Sequence, residues 1–345
     1  MADARKPYPP YRTYDHAKNP PSLLKHDFPR PAFAPGELYY PPSRLLESRF
    51  ASAEESRRFG AAMFCGFLED TIEVEHNLVI PAVSMLRRLP YEIPVQAEQD
   101  LYATATDEGF HAEQSLQFTS DLRERYCLRR SEEFRMPLFL RRLEEQRAAE
   151  PRPDYQYLIT VLNGVVTETR ISLELGEFAN NKALAPEVRE VCSTHAEDEA
   201  IHASQFRALG QFLWGEFDEP TRVAAARFIT ASTIARSLPD VPRIAHFFQQ
   251  VTGRSLEDAQ RIVYEVYSEN VSIDELLFAS RPTVKFIREL GVEQYMPFDR
   301  AIEDERRKLA GELAAQCKAS QFVVRGSGRA TGSTRAERAE GLPDA

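Results

Sequence analysis

The chain has 345 residues, 43% of them hydrophobic, and a formal net charge of -10; that is enough to bury a sizeable core, and an acidic balance with no sustained basic stripe argues against nucleic acid as a partner. No apolar run approaches about 18 residues, so no membrane-spanning helix is expected, and the N-terminus, with Arg5, Lys6 and then prolines, has no apolar signal segment, which leaves the cytoplasm as the expected location. The four cysteines, Cys65, Cys127, Cys192 and Cys317, lie far apart with no Cys-x-x-Cys, against a zinc ribbon or a disulfide framework.

In chain order, residues 1–45 carry ten of the twenty-three prolines, interleaved with Tyr8, Tyr11, Tyr14, Phe28, Phe33, Tyr39 and Tyr40. Such a stretch is not helical but has aromatics to pack with, so we expect an extended arm strapped across the rest. Residues 46–320 read as helix after helix in one all-α domain, with proline confined to junctions such as Pro90, Pro94, Pro151, Pro153 and Pro186. Four long helices are expected: Ala53 to Val79, stopping before Pro81; Val95 to Tyr126; Tyr155 to Asn180; and Pro186 to Trp214. Additional C-terminal helices follow at Glu219 to Leu238, Val241 to Val251 and Leu256 to Leu290, while residues 321–345, with almost no apolar content, are expected to be disordered.

The second and fourth long helices repeat one motif, Asp-Glu-x-x-His-Ala, as Asp107, Glu108, His111, Ala112 and as Asp198, Glu199, His202, Ala203. A single Glu-x-x-His is expected by chance about 0.7 times in such a chain, but adding the preceding Asp lowers that to about 0.03, so two copies carry information. Residues three apart on a helix lie about 60° apart around the axis, so a carboxylate and an imidazole so spaced converge on one ion. Four-helix di-iron proteins use two such pairs and one further Glu from each of the other two helices.

The first helix offers Glu69, Asp70, Glu73 and Glu75. Glu75 shares its face with Leu68, Thr71, Ile72, Leu78 and Val79, whereas Glu73 lies among Glu69, Asp70, His76 and Asn77; Glu75 is therefore the inward carboxylate. On the third helix Glu168 sits among Val161, Gly164, Val165, Ile171 and Leu175, and the rivals Glu174 and Glu177 look solvent-facing. A carboxylate on an apolar stripe needs compensation, which a metal supplies; a semi-buried helix carboxylate is the alternative for each. His195, one turn before Glu199, reaches the same cluster or is a core histidine. Asp107 and Asp198 stand where each can accept the free N–H of a ligand histidine on the neighbouring helix.

The run Glu75-His-Asn-Leu-Val-Ile-Pro81, the segment Asp107 to His111, Glu168 in Val-Val-Thr-Glu-Thr and above all His195-Ala-Glu-Asp-Glu-Ala-Ile-His202 resemble the di-iron N-oxygenases typified by p-aminobenzoate N-oxygenase. The likeness spans roughly residues 55 to 215. It implies a ferritin-like four-helix bundle in which Glu75, Glu108, His111, Glu168, His195, Glu199 and His202 hold two iron ions. It also implies a dioxygen-dependent oxidation of an amine nitrogen through hydroxylamine and nitroso stages to a nitro group, by a peroxide held on the di-ferric centre.

Oxygen and imidazole donors suit iron or manganese. The resemblance implies a small-molecule amine as substrate, free or carrier-bound, and a homodimer; Arg281 and Lys285 lie in the region where the family recognises a substrate carboxylate. Phe67, Tyr102, Phe110 and Phe178 are candidate pocket aromatics. No nucleotide-binding glycine motif is present, so an external reductase is expected as electron donor. Two other readings use the same ligands: a di-iron hydroxylase or desaturase acting on C–H bonds, and a non-catalytic ferritin-like iron-binding protein.

Overall fold

The computed structural model describes residues 38–41, 47–130, 135–270, 277–308 and 311. Among these every regular element is helical, and the one β feature is an isolated parallel bridge between Leu38 and Leu184. None of the described helices is long and apolar enough to cross a membrane.

α1 runs over Ala53–Val74 and begins at Ser52, whose hydroxyl accepts from the Glu55 N–H at 3.1 Å, satisfying one of the donors that a helix start leaves open. It does not stop before Pro81 as the sequence suggested. A wide turn over Glu75–Val79, in which the Ile80 N–H bonds the Glu75 carbonyl, carries the chain into α2, Ile80–Met85. The reason is Pro81: it has no N–H to offer the Asn77 carbonyl and its ring would crowd that turn. One inserted residue resets the register so that the helix continues, and such wide turns recur at functional sites. Glu75 opens this turn.

α3 spans Val95–Tyr126 and ends on Cys127 in the left-handed region at φ 53°, with the Leu128 N–H closing onto the Arg123 carbonyl at 3.0 Å. α4 is Leu138–Ala149, α5 Pro153–Asn180 and α6 Pro186–Glu216; α5 and α6 each start with a proline in the first turn, where its missing N–H costs nothing. α7 is Glu219–Ser237, capped by Asp218, and α8 is Val241–Thr252, closed by Gly253 at φ 68°. Among the described residues the single helix expected over Leu256 to Leu290 is interrupted by a turn at 278–280: α9 spans Leu256–Asn270 and α10 spans Arg281–Leu290. Here Pro282 takes the first turn of a new helix, where no preceding carbonyl needs its N–H. A further helical stretch covers 298–308.

α1, α3, α5 and α6 contribute to two apolar cores. One joins Phe59, Phe64 and Leu68 of α1 with Phe118 and Leu122 of α3, Leu175 and Phe178 of α5, Val188 and Cys192 of α6, and residues of α8 and α9. The other joins Val74 and Leu78 with Leu101, Leu158 to Val166, Phe206 to Trp214, and residues of α7 and α10. Between them lies a buried polar layer. Of the arm expected over residues 1–45, only 38–41 are among the described residues: Tyr39 is fully buried, and the Leu38 carbonyl accepts from the Ala185 N–H at 2.8 Å. The tail expected over 321–345 lies outside the described residues, as does Cys317; Cys65, Cys127 and Cys192 are free thiols.

Candidate metal centre

The polar layer consists of Glu75 at the end of α1, Glu108 and His111 on α3, Glu168 on α5, and His195, Glu199 and His202 on α6. None of the seven exceeds 4% exposure, which is exceptional for four carboxylates. The three rival acids of α1 are engaged elsewhere: Glu69 with Arg123, Asp70 with Arg243, and Glu73 with Arg135 at 2.9 Å. On α5, Glu174 pairs with Arg170 at 2.8 Å and Glu177 is exposed.

Two sets of donors overlap. Glu108, His111, Glu199 and His202 each offer an atom within 4.8 Å of the others, and so do Glu75, Glu108, His195 and Glu199. Glu108 and Glu199 belong to both sets, so two ions side by side would share them. Glu168 completes the layer, its Oε2 lying 3.9 Å from His202 Nδ1. Closest contacts are His111 Nδ1 to Glu108 Oε2 at 2.8 Å, His202 Nδ1 to Glu108 Oε1 at 2.8 Å, and His195 Nε2 to Glu199 Oε1 at 2.9 Å. Donors bound to one ion at about 2.1 Å and at right angles would stand about 3 Å apart.

Whether the residues fit metal ions is tested by their unmet hydrogen-bonding capacity. Both carboxylate oxygens of Glu75, Glu168 Oε2 and Glu199 Oε2 are buried and make no hydrogen bond among the described residues. Four unpartnered carboxylate oxygens in one layer depart from the near-complete satisfaction of buried polar groups in folded proteins, a demand that coordinating cations would meet. The residues fit.

Each motif orients the other. The Nε2–H of His111 faces Asp198 Oδ2 at 3.4 Å, and that of His202 faces Asp107 Oδ2 at 3.4 Å. As neutral imidazoles, the form a metal ligand must take, they would keep Nε2–H on the Asp and turn the Nδ1 lone pair towards the carboxylates. Electrostatics follow from burial. Glu75 and Glu168 are pushed well above the usual carboxyl range, by desolvation and then by their carboxylate neighbours. Desolvation also acts against ionised Glu108 and Glu199, but the facing histidines outweigh it and both lie below the usual range. His111 is raised to about 9 and His202 well above normal, their desolvation overcome chiefly by Glu108. His195, buried and with its ring centroid 3.8 Å from that of His111, is lowered by desolvation and then by His111.

Arg281 and Lys285 are not brought to the layer: both are exposed on α10, with Arg281 over the Phe278 ring at 4.6 Å. Tyr102 is likewise at the surface, 44% exposed, while Phe67 stacks on Phe178 with centroids 5.0 Å apart and Phe110 is half-buried. Sequence reasoning passed over Thr104 and Gln205, which bond each other across α3 and α6 beside the layer. Their signal was present, since Thr104 stands four residues before Glu108 and Gln205 three after His202, on the ligand stripes. Comparison with protein-family models gives no match for this chain, and comparison with curated proteins gives none either.

Proposed function

We propose that the protein is a di-iron, dioxygen-dependent N-oxygenase built on a ferritin-like four-helix core, oxidising a small-molecule amine, in the first instance an arylamine, to its hydroxylamine, nitroso or nitro product. The observation that carries this reading is the overlap of two donor sets on Glu108 and Glu199, with His195 as a third imidazole beside four carboxylates. Oxygen and nitrogen donors without thiolate favour iron or manganese. Iron bound by Glu75, Glu108, His111, Glu168, His195, Glu199 and His202 would supply the electrons that turn dioxygen into an oxidant for nitrogen.

The remaining tasks fall to the chain itself. Asp198 and Asp107 hold His111 and His202 in one tautomer and one orientation. The apolar cores on both sides of the layer exclude bulk water, so the amine lone pair meets the oxidant without competition from solvent. Four ionised carboxylates balance two divalent ions, which leaves the loaded centre near neutral and free to admit an uncharged amine. Electrons come, on this reading, from a separate reductase, and two copies of the chain pair as a homodimer.

The test is anaerobic loading with ferrous iron, metal analysis, and then oxygen exposure with and without an arylamine, followed optically and by mass spectrometry of the product. Two irons per chain, with an oxygen-dependent absorption that decays faster when the amine is present and an N-oxygenated product, is the expected result. Oxygen chemistry indifferent to amines would transfer the reading to C–H oxidation. Uptake of many irons per chain would indicate storage, and failure to bind iron would reject the metal centre.

A further inference from the structure

The second half of α7 buries four hydroxyl side chains, at Thr230, Ser232, Thr233 and Ser237. Thr233 donates to the Ile229 carbonyl and Ser237 to the Thr233 carbonyl, each at 2.8 Å, the usual resort of a buried hydroxyl on a helix. Thr230 and Ser232 do otherwise. They are 1% and 4% exposed, and their hydroxyl oxygens are buried and make no hydrogen bond among the described residues. A buried hydroxyl without a partner weakens a fold, so two of them flanking one residue call for a partner from outside the chain.

Both residues line a half-open cavity of about 540 Å³ between α4, α7 and the 298–308 helix, with Asn163 of α5 also in its wall. Its α7 residues, Arg227, Thr230, Ala231, Ile234 and Ala235, fall at i, i+3, i+4, i+7 and i+8, and on α4 Phe139, Arg142, Leu143 and Gln146 repeat that spacing. Each helix therefore turns one face to the space. Ala231, in the middle of the α7 face, is exposed although 230 and 232–235 are buried. The charged residues of the wall stand exposed or half-exposed and its cations are answered: Arg142 and Lys308 by Glu305 at 3.8 and 3.7 Å, and Arg227 by Glu150 at 3.5 Å. None of the seven metal-layer residues lines the cavity. Asn163 stands five positions before Glu168, about 140° away around α5, so that helix lies between the two places.

We propose that this cavity is a second small-molecule site, separate from the metal layer, for an uncharged molecule with an apolar body and a hydroxyl group. Its volume is in the range of small-molecule sites, and such sites combine apolar walls with a few placed polar groups. Phe139, Leu143, Ile234, Ala235 and Met296 receive the body. The ligand's hydroxyl, which both donates and accepts, answers Thr230 and Ser232. A carboxylate or an ammonium would find no unanswered counter-charge in the wall and would have to displace an existing pair. The inference stands on the cavity and the two hydroxyls and does not rest on the amine-oxidation reading.

The test titrates the full-length protein with phenol and with toluene, its isosteric counterpart without the hydroxyl, followed by ligand-observed NMR, with and without ferrous iron. We expect phenol to bind at least about fivefold more tightly than toluene, and equally well in both metal states. In the double variant Thr230→Val, Ser232→Ala that preference should vanish while toluene still binds. Ala231→Phe, which fills the space from an exposed position, should abolish binding of both probes. Thermal melting is the accompanying readout: Thr230→Val should melt no lower than the wild type, because the hydroxyl it removes has no partner to lose. Equal affinity for the two probes in the wild type, or no binding of either, overturns the inference even where a variant fails to fold. Undiminished binding by Ala231→Phe, or a preference that survives in the double variant, overturns it as well. Phenol binding that requires iron would assign the probe to the metal layer and remove the second site.

Discussion

Loading two divalent ions into the buried layer is predicted to release about four protons per chain at neutral pH. Without a cation, desolvation and mutual repulsion keep Glu75 and Glu168 protonated, while ionised Glu108 and Glu199 keep protons on His111 and His202. The layer is then formally neutral. Coordination needs carboxylates and neutral imidazoles, so two carboxyl and two imidazolium protons must leave, and four negative charges meet four positive ones. With four protons exchanged, affinity for the ion pair should rise about ten-thousandfold per pH unit, flattening above about 9, where His111 loses its proton unaided. The same four groups contribute to the stability of the protein without metal, opposed by Glu108 and Glu199, whose lowered pKa values favour folding as pH rises. All four have raised pKa values, so their contribution is complete below the unfolded values, 4.5 for the carboxyls and 6.5 for the imidazoles, and is lost as pH rises through the folded ones. Each costs at most about 1.4 kcal/mol per pH unit over its window. The assay is anaerobic titration calorimetry with ferrous iron in two buffers of different ionisation enthalpy, repeated between pH 6 and 8. Release of fewer than two protons per pair of ions, or an affinity insensitive to pH, would refute the charge assignment.

Three further outcomes are expected. Replacing Asp198 or Asp107 by Ala should weaken metal binding by roughly 10–100-fold while leaving helical content intact, because His111 or His202 loses the acceptor that fixes its tautomer; competition with a chelator of known affinity checks this. His195→Ala should weaken one ion of the two by at least about tenfold and spare the other, since His195 belongs to the donor set with Glu75 and not to the set with His111 and His202; unchanged metal content would exclude His195 as a ligand. Gly164→Ala should cost about 1–3 kcal/mol in denaturant unfolding, because a Cβ there would stand 2.9 Å from Ala82 Cβ and 3.3 Å from the Phe206 ring.

The helical class, and the layer as a set of residues, were legible in the amino-acid order because both depend on local periodicity. A Glu-x-x-His spacing fixes relative direction on any helix, and the apolar neighbours of Glu75 and Glu168 show which carboxylates turn inward wherever the helix is placed. What tertiary structure alone decided depends on which groups meet across elements. Pro81 and Pro282 both fall inside stretches expected to be or to end long helices, yet one is carried through a wide turn and the other opens a new helix. At Pro81 the widened turn spares the chain the lost hydrogen bond and lets the helix run on, whereas at Pro282 the turn over 278–280 puts the proline in a first turn that needs no N–H from it. Arg281 and Lys285 are exposed because packing buries the opposite face of α10, Thr283, Val284, Phe286 and Ile287. Thr104 and Gln205 are the clearest case: each stands on its own ligand stripe, but only the packing of α3 against α6 brings the two side chains into hydrogen-bond contact beside the layer.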